Sequence, residues 1–251
     1  MELTNGLVKW VHSLSLKKNR EKEGCFVAEG TKCVIDTIEH FTLKYLFVTK
    51  EWLAGNRSKF SSVATIASPS QMERMSMLKT APAVIAVYEI PKLEIPKNIE
   101  DDISLVLDGI QDPGNLGTIL RIADWFGVRN VFCSKDTVDV YNPKTIQATM
   151  GAISRTNVHY VDLIEFFKTH NTLPICGTFL DGKNIYKTEI PANGFIVMGN
   201  EGKGVTEKIR EISDCKLLIP SYPEGIPTSE SLNVGMATAI VLSEFRRRQI
   251  R

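Results

Sequence analysis

The sequence lacks the features that mark a zinc protein, a disulfide-rich protein or a membrane protein. It contains five cysteines, an odd number, and no two of them form a C-x-x-C pair. Its four histidines are scattered and form no H-E-x-x-H motif, so a metal site has no support. No apolar run reaches the ~18 residues that a membrane-spanning helix needs, and no signal-peptide core is present. We therefore expect a cytoplasmic protein with reduced cysteines, no metal and no membrane partner.

A strong excess of charge of either sign is also missing. The 251 residues carry 30 Lys and Arg against 29 Asp and Glu, a formal net charge of +1. This balance excludes a generally polybasic protein but allows a local basic face. Two basic clusters stand out, one near the start (Lys17, Lys18, Arg20 and Lys22) and one at the end (Arg246, Arg247, Arg248 and Arg251). Alone, each is typical of a solvated surface segment; a nearby active site would make it a nucleic-acid contact.

The hydrophobic pattern predicts two domains. Residues 1–94 alternate between short β-rich runs and segments with apolar residues at helical spacing, which is typical of a small α/β domain. The stretch 91–102 carries two prolines and many charges, and we place a linker at 95–102. Residues 103–251 alternate regularly between apolar strands and helices, which predicts a mainly parallel sheet covered on both faces.

Ligands of such sheets bind beyond the carboxyl ends of the strands, which points to three loops at 108–117, 199–204 and 220–233. In the first loop, Asn115 precedes a helix, and Arg121 follows on roughly the same side of that helix. The alternative is a tight strand–helix turn with a surface arginine. The second loop has three glycines in six residues but no P-loop or dinucleotide fingerprint, so Glu201 is a polar anchor or a helix-terminal carboxylate. Ser231 and Asn233 in the third loop are also ordinary capping residues.

Three segments resemble, in the same order, the three motifs of the SpoU/TrmH family of RNA methyltransferases. They are DGIQDPGNLGTILRIADWFGV, FIVMGNEGKGV and LLIP…ESLNVGMATAIVLSEF, and together they span 103–246. The N-terminal KKNREKEGCFVAEGTKCV is similar, more loosely, to the RNA-binding domain of the family, which has the ribosomal-protein L30e fold. Two departures concern the third motif. Its spacer at 221–230 is longer than usual, and Gly235 stands where the family often has Ser or Ala.

The resemblance implies a SPOUT α/β domain with a trefoil knot, an N-terminal L30e-like domain and a homodimer with the site near the interface. It implies S-adenosylmethionine as the methyl donor, with no metal. The implied donor-binding residues are Gly199, Asn200, Glu201, Gly202, Ile219 and Leu232. The implied catalytic residues are Asn115, Arg121, Ser231 and Asn233. Lys17, Lys18, Arg20 and Lys22 are the implied RNA contacts.

The resemblance also implies the reaction, which is 2′-O-methylation of a ribose in structured RNA. We expect ribosomal RNA, because the tRNA enzymes of the family more often carry short basic helical extensions. A tRNA enzyme and a non-catalytic RNA-binding assembly factor are the alternatives. A nucleotide-dependent transferase that uses the glycine loops for phosphate is a third. The role of Arg121 is open between proton acceptor and charge stabiliser, since an arginine side chain normally keeps its proton.

Overall fold

The computed structural model describes residues 3–223, 226 and 229–250. The chain forms two compact units, Met1–Lys92 with Asp139–Ser154 and Leu93–Val138 with Arg155–Arg251. The division near residue 92 lies close to the linker predicted at 95–102. However, residues 139–154, which the sequence places in the second domain, pack with the first unit. Periodicity cannot reveal this grouping, because it reports which face of a segment is apolar and not which neighbour covers it.

The first unit is built on a sheet with the strand order β1-β4-β2-β3. Both β1 and β2 run antiparallel to β4, and β3 runs parallel to β2. The strands are β1 Cys25–Glu29, β2 Leu43–Val48, β3 Ala64–Ile66 and β4 Val84–Glu89. The helices are α1 Asn5–Ser13, α2 Lys17–Glu23, α3 Thr31–Thr37, α4 Lys50–Phe60, α5 Pro69–Met75 and α7 Pro143–Thr149. The α/β pattern predicted for this region is confirmed.

Two helices of this unit were not predicted, and each has a weak sequence signal. Helix α4 contains Gly55 and is interrupted at Asn56, whose φ of −128° is not helical. It buries only Trp52 and Phe60, so its apolar residues are too few to predict a helix from their spacing. Helix α2 is the basic segment at 17–23, and it buries a single residue, Arg20.

The burial of Arg20 corrects its predicted role as an RNA contact. The residue is only 2% exposed. Its Nη1 donates to the carbonyl oxygens of Leu14 and Ser15, both at 2.8 Å. Its Nε and Nη2 donate to Asp139 at 3.0 and 2.6 Å. A guanidinium whose donors are consumed inside the first unit is not available for phosphate, so this prediction is wrong. The other three candidates, Lys17, Lys18 and Lys22, are exposed.

The second unit is built on a sheet of parallel strands with the order β10-β8-β9-β5-β6-β7. The strands are β5 Ile103–Asp108, β6 Asn130–Ser134, β7 Asn157–Val161, β8 Ile175–Asn184, β9 Gly194–Gly199 and β10 Cys215–Leu218. The helices are α6 Pro113–Trp125, α8 Leu163–Thr169, α9 Glu207–Ile212 and α10 Val234–Gln249. The predicted α/β fold with a mainly parallel sheet is confirmed, and the trefoil knot stays a prediction.

The core of the second unit includes a cluster of aromatic rings on one face of its sheet. The rings of Phe132 and Phe166 lie 4.3 Å apart, and Phe195 lies 5.2 Å from Phe166. Ile99, which falls within the predicted linker, is buried in the same cluster. Ile99 therefore belongs to the core of the second unit, whereas the residues that follow it, 100–102, are exposed.

The arginines near the C-terminus are engaged in contacts within the second unit. Arg246 donates from Nε to the carbonyl oxygen of Phe126 at 2.7 Å and forms an ion pair with Asp102. Arg248 donates to two backbone carbonyl oxygens, one of them that of Ile185, at 2.6 Å. These contacts attach the last turns of α10 to segments far away in the chain.

The structure also describes the cysteines and the length and character of the helices. All five cysteines are unbridged, and four of them are buried. Within 3–223, 226 and 229–250, no helix combines the length and the apolar character needed to cross a membrane.

Candidate active site

The three predicted loops leave the carboxyl ends of β5, β9 and β10 in the second unit. Strands β5 and β9 are neighbours, and their last residues, Asp108 and Gly199, lie opposite each other in the register. The third loop ends at Asn233, which caps helix α10. Positions 224, 225, 227 and 228 of this loop, including part of the long spacer noted above, lie outside the described residues.

A chain of hydrogen bonds links the three loops. Asn233 Nδ2 donates to Asn115 Oδ1 at 3.0 Å, and Asn115 Nδ2 donates to Glu201 Oε1 at 2.9 Å. The donor-to-acceptor direction of these hydrogen bonds is fixed at the start of α10, because Asn233 Oδ1 accepts from the N–H groups of Gly235 and Met236 at 2.9 and 3.3 Å. Both amides therefore donate toward Glu201. A carboxylate such as that of Glu201 is a strong hydrogen-bond acceptor and therefore suits the end of this series of hydrogen bonds.

The second loop is a tight turn with little side-chain bulk. Asn200 and Gly204 exchange two backbone hydrogen bonds, at 3.0 and 2.9 Å. A Cβ atom on Gly199 would lie 2.2 Å from the carbonyl carbon of Gly204, so only glycine fits there. The side-chain oxygen of Asn200 accepts from the N–H groups of Gly202 and Lys203, both at 3.0 Å. The turn is thus stabilised by its own backbone and by Asn200.

The first loop turns sharply into helix α6. Gly109 has a φ of +75°, a left-handed conformation that favours glycine. Asp112 caps the helix by accepting from the N–H of Asn115 at 2.8 Å, and Pro113 occupies the first helical position. This cap fixes the backbone of Asn115, and with it the origin of the side chain that reaches Glu201.

Arg121 and Ser231 stand apart from this hydrogen-bond chain. Both are exposed, and among the described residues neither makes a side-chain hydrogen bond or an ion pair. Arg121 lies in the third turn of α6, where it is open to a ligand. The structure therefore joins three of the predicted polar residues and leaves two of them open.

The remaining predicted donor-binding residues differ in exposure. Gly199, Asn200 and Ile219 are half-buried, whereas Glu201 and Gly202 are exposed and Leu232 is 51% exposed. Glycine backbone, apolar side chains and a carboxylate suit a ligand with an apolar body and a positive charge. Within the described part of the chain, no group of His, Cys, Asp and Glu side chains could hold a metal ion.

Gly235, the departure noted in the third motif, lies where α10 approaches α6. A Cβ atom there would come within 3.2 Å of Thr118 Cγ2 and of Asn233 Oδ1. Such a contact is tighter than usual, so a larger residue would require small shifts near the cap of α10.

Sequence reasoning missed the residues that support these loops. Asp108, buried at the end of β5, accepts from the N–H of Thr206 at 2.7 Å. Gln111 Nε2 donates to the carbonyl oxygen of Asp136 at 2.7 Å. Ser134 Oγ accepts from the N–H of Gly109 at 2.9 Å. The one available signal was a polar residue directly after a continuous apolar strand, as at Asp108 and Ser134.

Both parts of the chain match known protein families. Residues 102–243 match the SpoU rRNA Methylase family. Residues 5–86 match the MRM3-like substrate binding domain.

Similar proteins extend over nearly the whole chain. The chain is 30% identical to the 23S rRNA (guanosine(2553)-2′-O)-methyltransferase RlmP of Bacillus subtilis, with 96% of each protein covered. A putative RNA methyltransferase of the TrmH family from Porphyromonas gingivalis has a similar structure, with a TM-score of 0.87 and 33% identity over 99% of this chain and 100% of that one. The AdoMet-bound rRNA methyltransferase from Sinorhizobium meliloti has a TM-score of 0.86 and 25% identity over 100% of this chain and 98% of that one. With a family match over more than half of its length, this chain belongs to the SpoU rRNA methylase family.

Proposed function

We propose that this protein transfers the methyl group of S-adenosylmethionine to a ribose 2′-hydroxyl of ribosomal RNA. The observation that carries the proposal is the hydrogen-bond chain from Asn233 through Asn115 to Glu201, which unites the three family motifs at one edge of the sheet. The relative from Bacillus subtilis is named as a 23S rRNA 2′-O-methyltransferase, and the structure from Sinorhizobium meliloti is described as AdoMet-bound. Both support the donor and the class of RNA.

The donor would be held by the second and third loops. The tight turn at 199–204 offers backbone groups of Gly199, Asn200 and Gly202, while Ile219 and Leu232 offer apolar contact. Glu201 balances positive charge, and Asn115 keeps its carboxylate oriented. When bound, S-adenosylmethionine supplies a methyl group that is already activated by a positively charged sulfur, which is why the proposal includes no metal.

Arg121 would act on the acceptor hydroxyl. Negative charge develops on the ribose oxygen as its proton leaves, and a guanidinium can stabilise that charge or grip the adjacent phosphate. Arg121 is free to do so, because its side chain has no partner among the described residues. Asn233 and Ser231 at the start of α10 would orient the acceptor side of the site.

The test compares Arg121→Ala and Arg121→Lys with the wild type, using ribosomal RNA from a strain that lacks this gene. We expect both variants to lower kcat by about 10²- to 10³-fold, since lysine keeps the charge but loses the planar fork. Calorimetry should show donor binding unchanged in both. A wild-type rate for Arg121→Lys would contradict this role. A wild-type protein that binds no donor would contradict the reaction itself.

We also propose that residues 1–94 bind the RNA and that 103–251 form the methyltransferase domain. The matches at 5–86 and 102–243 fit these limits. The exposed Lys17, Lys18 and Lys22 would contact RNA phosphates, and we place the protein in the cytoplasm. Mapping 2′-O-methyl groups across ribosomal and transfer RNA after gene deletion tests the substrate. Loss of one ribosomal site supports the proposal, whereas loss of a tRNA site would overturn it.

We further propose that the protein is a homodimer. On α6 and α10 the side chains of Trp125 and Met236 are 84% and 61% exposed. An open groove of about 680 Å³ includes Phe126, the residue after Trp125, and Ile240, one turn after Met236; its other lining residues are Tyr186, Ala239, Ser243, Glu244 and Arg247. Trp125 lies one turn after Arg121, so a second copy on this face would lie beside the proposed site. Light scattering should give a dimer, and Trp125→Glu should weaken it; a monomeric wild type would contradict the proposal.

A further inference from the structure

The second loop is attached to the first at both of its ends. At its start, Asn200 Nδ2 donates to the carbonyl oxygen of Gly109 at 2.7 Å. At its end, the N–H of Thr206 donates to Asp108 Oδ2, also at 2.7 Å. The two acceptors are consecutive residues at the carboxyl end of β5. The glycine turn therefore has one common anchor, the Asp108–Gly109 unit.

This anchor is itself held in place by the neighbouring strand β6. The N–H of Gly109 donates to Ser134 Oγ at 2.9 Å, and Ser134 Oγ lies 3.0 Å from Thr137 Oγ1. All of these side chains are buried, Asp108 being 5% exposed. A buried carboxylate is costly unless its oxygens are hydrogen-bonded, so the bond to Thr206 matters to both partners.

We infer that Asp108 is a positioning residue, which holds the 200–205 turn in the shape that binds the methyl donor. It acts through the N–H of Thr206, because its burial keeps it from contact with either substrate. This inference rests on the proposed function, in which the turn binds S-adenosylmethionine. Loss of the bond should lower donor affinity and leave the chemical step intact once donor is saturating.

Two substitutions remove the same hydrogen bond from opposite sides. Asp108→Ala removes the acceptor. Thr206→Pro removes the donor, and the φ of −62° at Thr206 is already that of proline. The side chain of Thr206 makes no capping hydrogen bond, so little else is lost. Asp108→Asn is the conservative variant, because its amide oxygen can still accept from Thr206.

Asp214, which is more exposed than Asp108, provides a control at the opposite end of the same sheet. Its Oδ2 accepts from the N–H of Ile175 at 2.8 Å, at the amino ends of β8 and β10. Asp214→Ala thus removes a carboxylate–backbone bond of the same kind, away from the loops. Thermal unfolding of every variant shows whether the fold is retained.

We expect calorimetry to show S-adenosylmethionine binding weakened about tenfold by Asp108→Ala and by Thr206→Pro. The double variant should be no weaker than either single one, since both remove one bond. Asp108→Asn should stay within about threefold of the wild type, and Asp214→Ala should bind normally. In turnover assays the KM for donor should rise while kcat changes less than about twofold.

Wild-type donor affinity in Asp108→Ala would overturn the inference. So would an equal loss in Asp214→Ala, which would show a general effect of stability. If Asp108→Ala does not fold, the other two variants decide. Wild-type donor affinity in Thr206→Pro, or a loss in Asp108→Asn as large as that in Thr206→Pro, would overturn the inference. A wild-type protein that binds no donor would refute the proposed function and this inference together, and that result is distinct from the others.

Discussion

The two basic clusters look alike in the sequence and have different roles in the structure. In the segment 246–248, the arginines bond to backbone carbonyls and to carboxylates within the second unit. In helix α2 of the first unit, Lys17, Lys18 and Lys22 are exposed, and the ion pairs of Lys17 and Lys22 are long, at 3.8 and 3.7 Å. The difference follows from the side chains. A guanidinium offers several directed donors and suits fixed contacts, whereas an ammonium on a flexible stem stays hydrated.

Arg20 shows that the same contrast holds within a single helix. The other basic residues of α2 are exposed lysines, yet Arg20 itself is buried and bonded to Asp139. A run of basic residues is therefore not one functional unit. Its members separate according to the face of the helix on which each one lies.

Removal of Arg20 should have the largest effect on stability. Arg20→Ala leaves Asp139 Oδ2 and two carbonyl groups without the donor that they have in the wild type, and breaking a buried pair of this kind costs about 3–5 kcal/mol. Chemical denaturation should show a lower free energy of unfolding, whereas Lys18→Ala should not differ from the wild type. Unchanged stability in Arg20→Ala, together with weaker RNA binding, would restore Arg20 as an RNA contact.

An intermediate effect is expected at Glu244 in the C-terminal cluster. Hydrogen bonds from Arg247 and Arg248 lower the pKa of Glu244 to about 2, from an ordinary value of 4.5. Its stabilising contribution is therefore present above pH 4.5 and is lost as the pH falls toward 2. Glu244→Gln should destabilise the protein at pH 7 by about 1.5–3 kcal/mol. Unfolding measured against pH should show the variant and the wild type converging near pH 2.

The exposed pair of Glu165 and Lys168 provides the control for that measurement. Glu165→Gln should change stability by less than about 0.5 kcal/mol, as expected for a surface ion pair. If Glu244→Gln also changes stability by less than about 0.5 kcal/mol, the arginines of α10 stabilise the fold no more than a solvated surface cluster would.

The smallest effect on stability, and the clearest on RNA, is expected for the lysines of α2. Replacing Lys17, Lys18 and Lys22 by Ala should change the free energy of unfolding by no more than about 0.5 kcal/mol. If all three contact phosphate, the slope of log K against log salt for RNA binding should decrease by about 2–3. Lys32 and Lys59, also exposed in the first unit, serve as a matched control. An unchanged slope would place the RNA on another surface.

Much of the fold and part of the site could be predicted from the sequence. Parallel strands bring their carboxyl ends to one edge, so the meeting of Asn115, Glu201 and Asn233 followed from strands and loops alone. The burial of Arg20 could not be predicted, because helix α2 has no apolar stripe. The anchoring role of Asp108 could not be predicted either, since its partner is a backbone N–H that almost any residue possesses.

The assignment of residues 139–154 to the first unit has a consequence for biosynthesis. A ribosome that has released only residues 1–92 has not yet made Asp139, the carboxylate that neutralises the guanidinium of Arg20. Residues 1–92 therefore cannot reach their final ion pairing until strands β5 and β6 have also emerged. A fragment truncated at Lys92 would retain a buried positive charge without its counter-ion, and for this reason the first unit is a poor candidate for expression on its own.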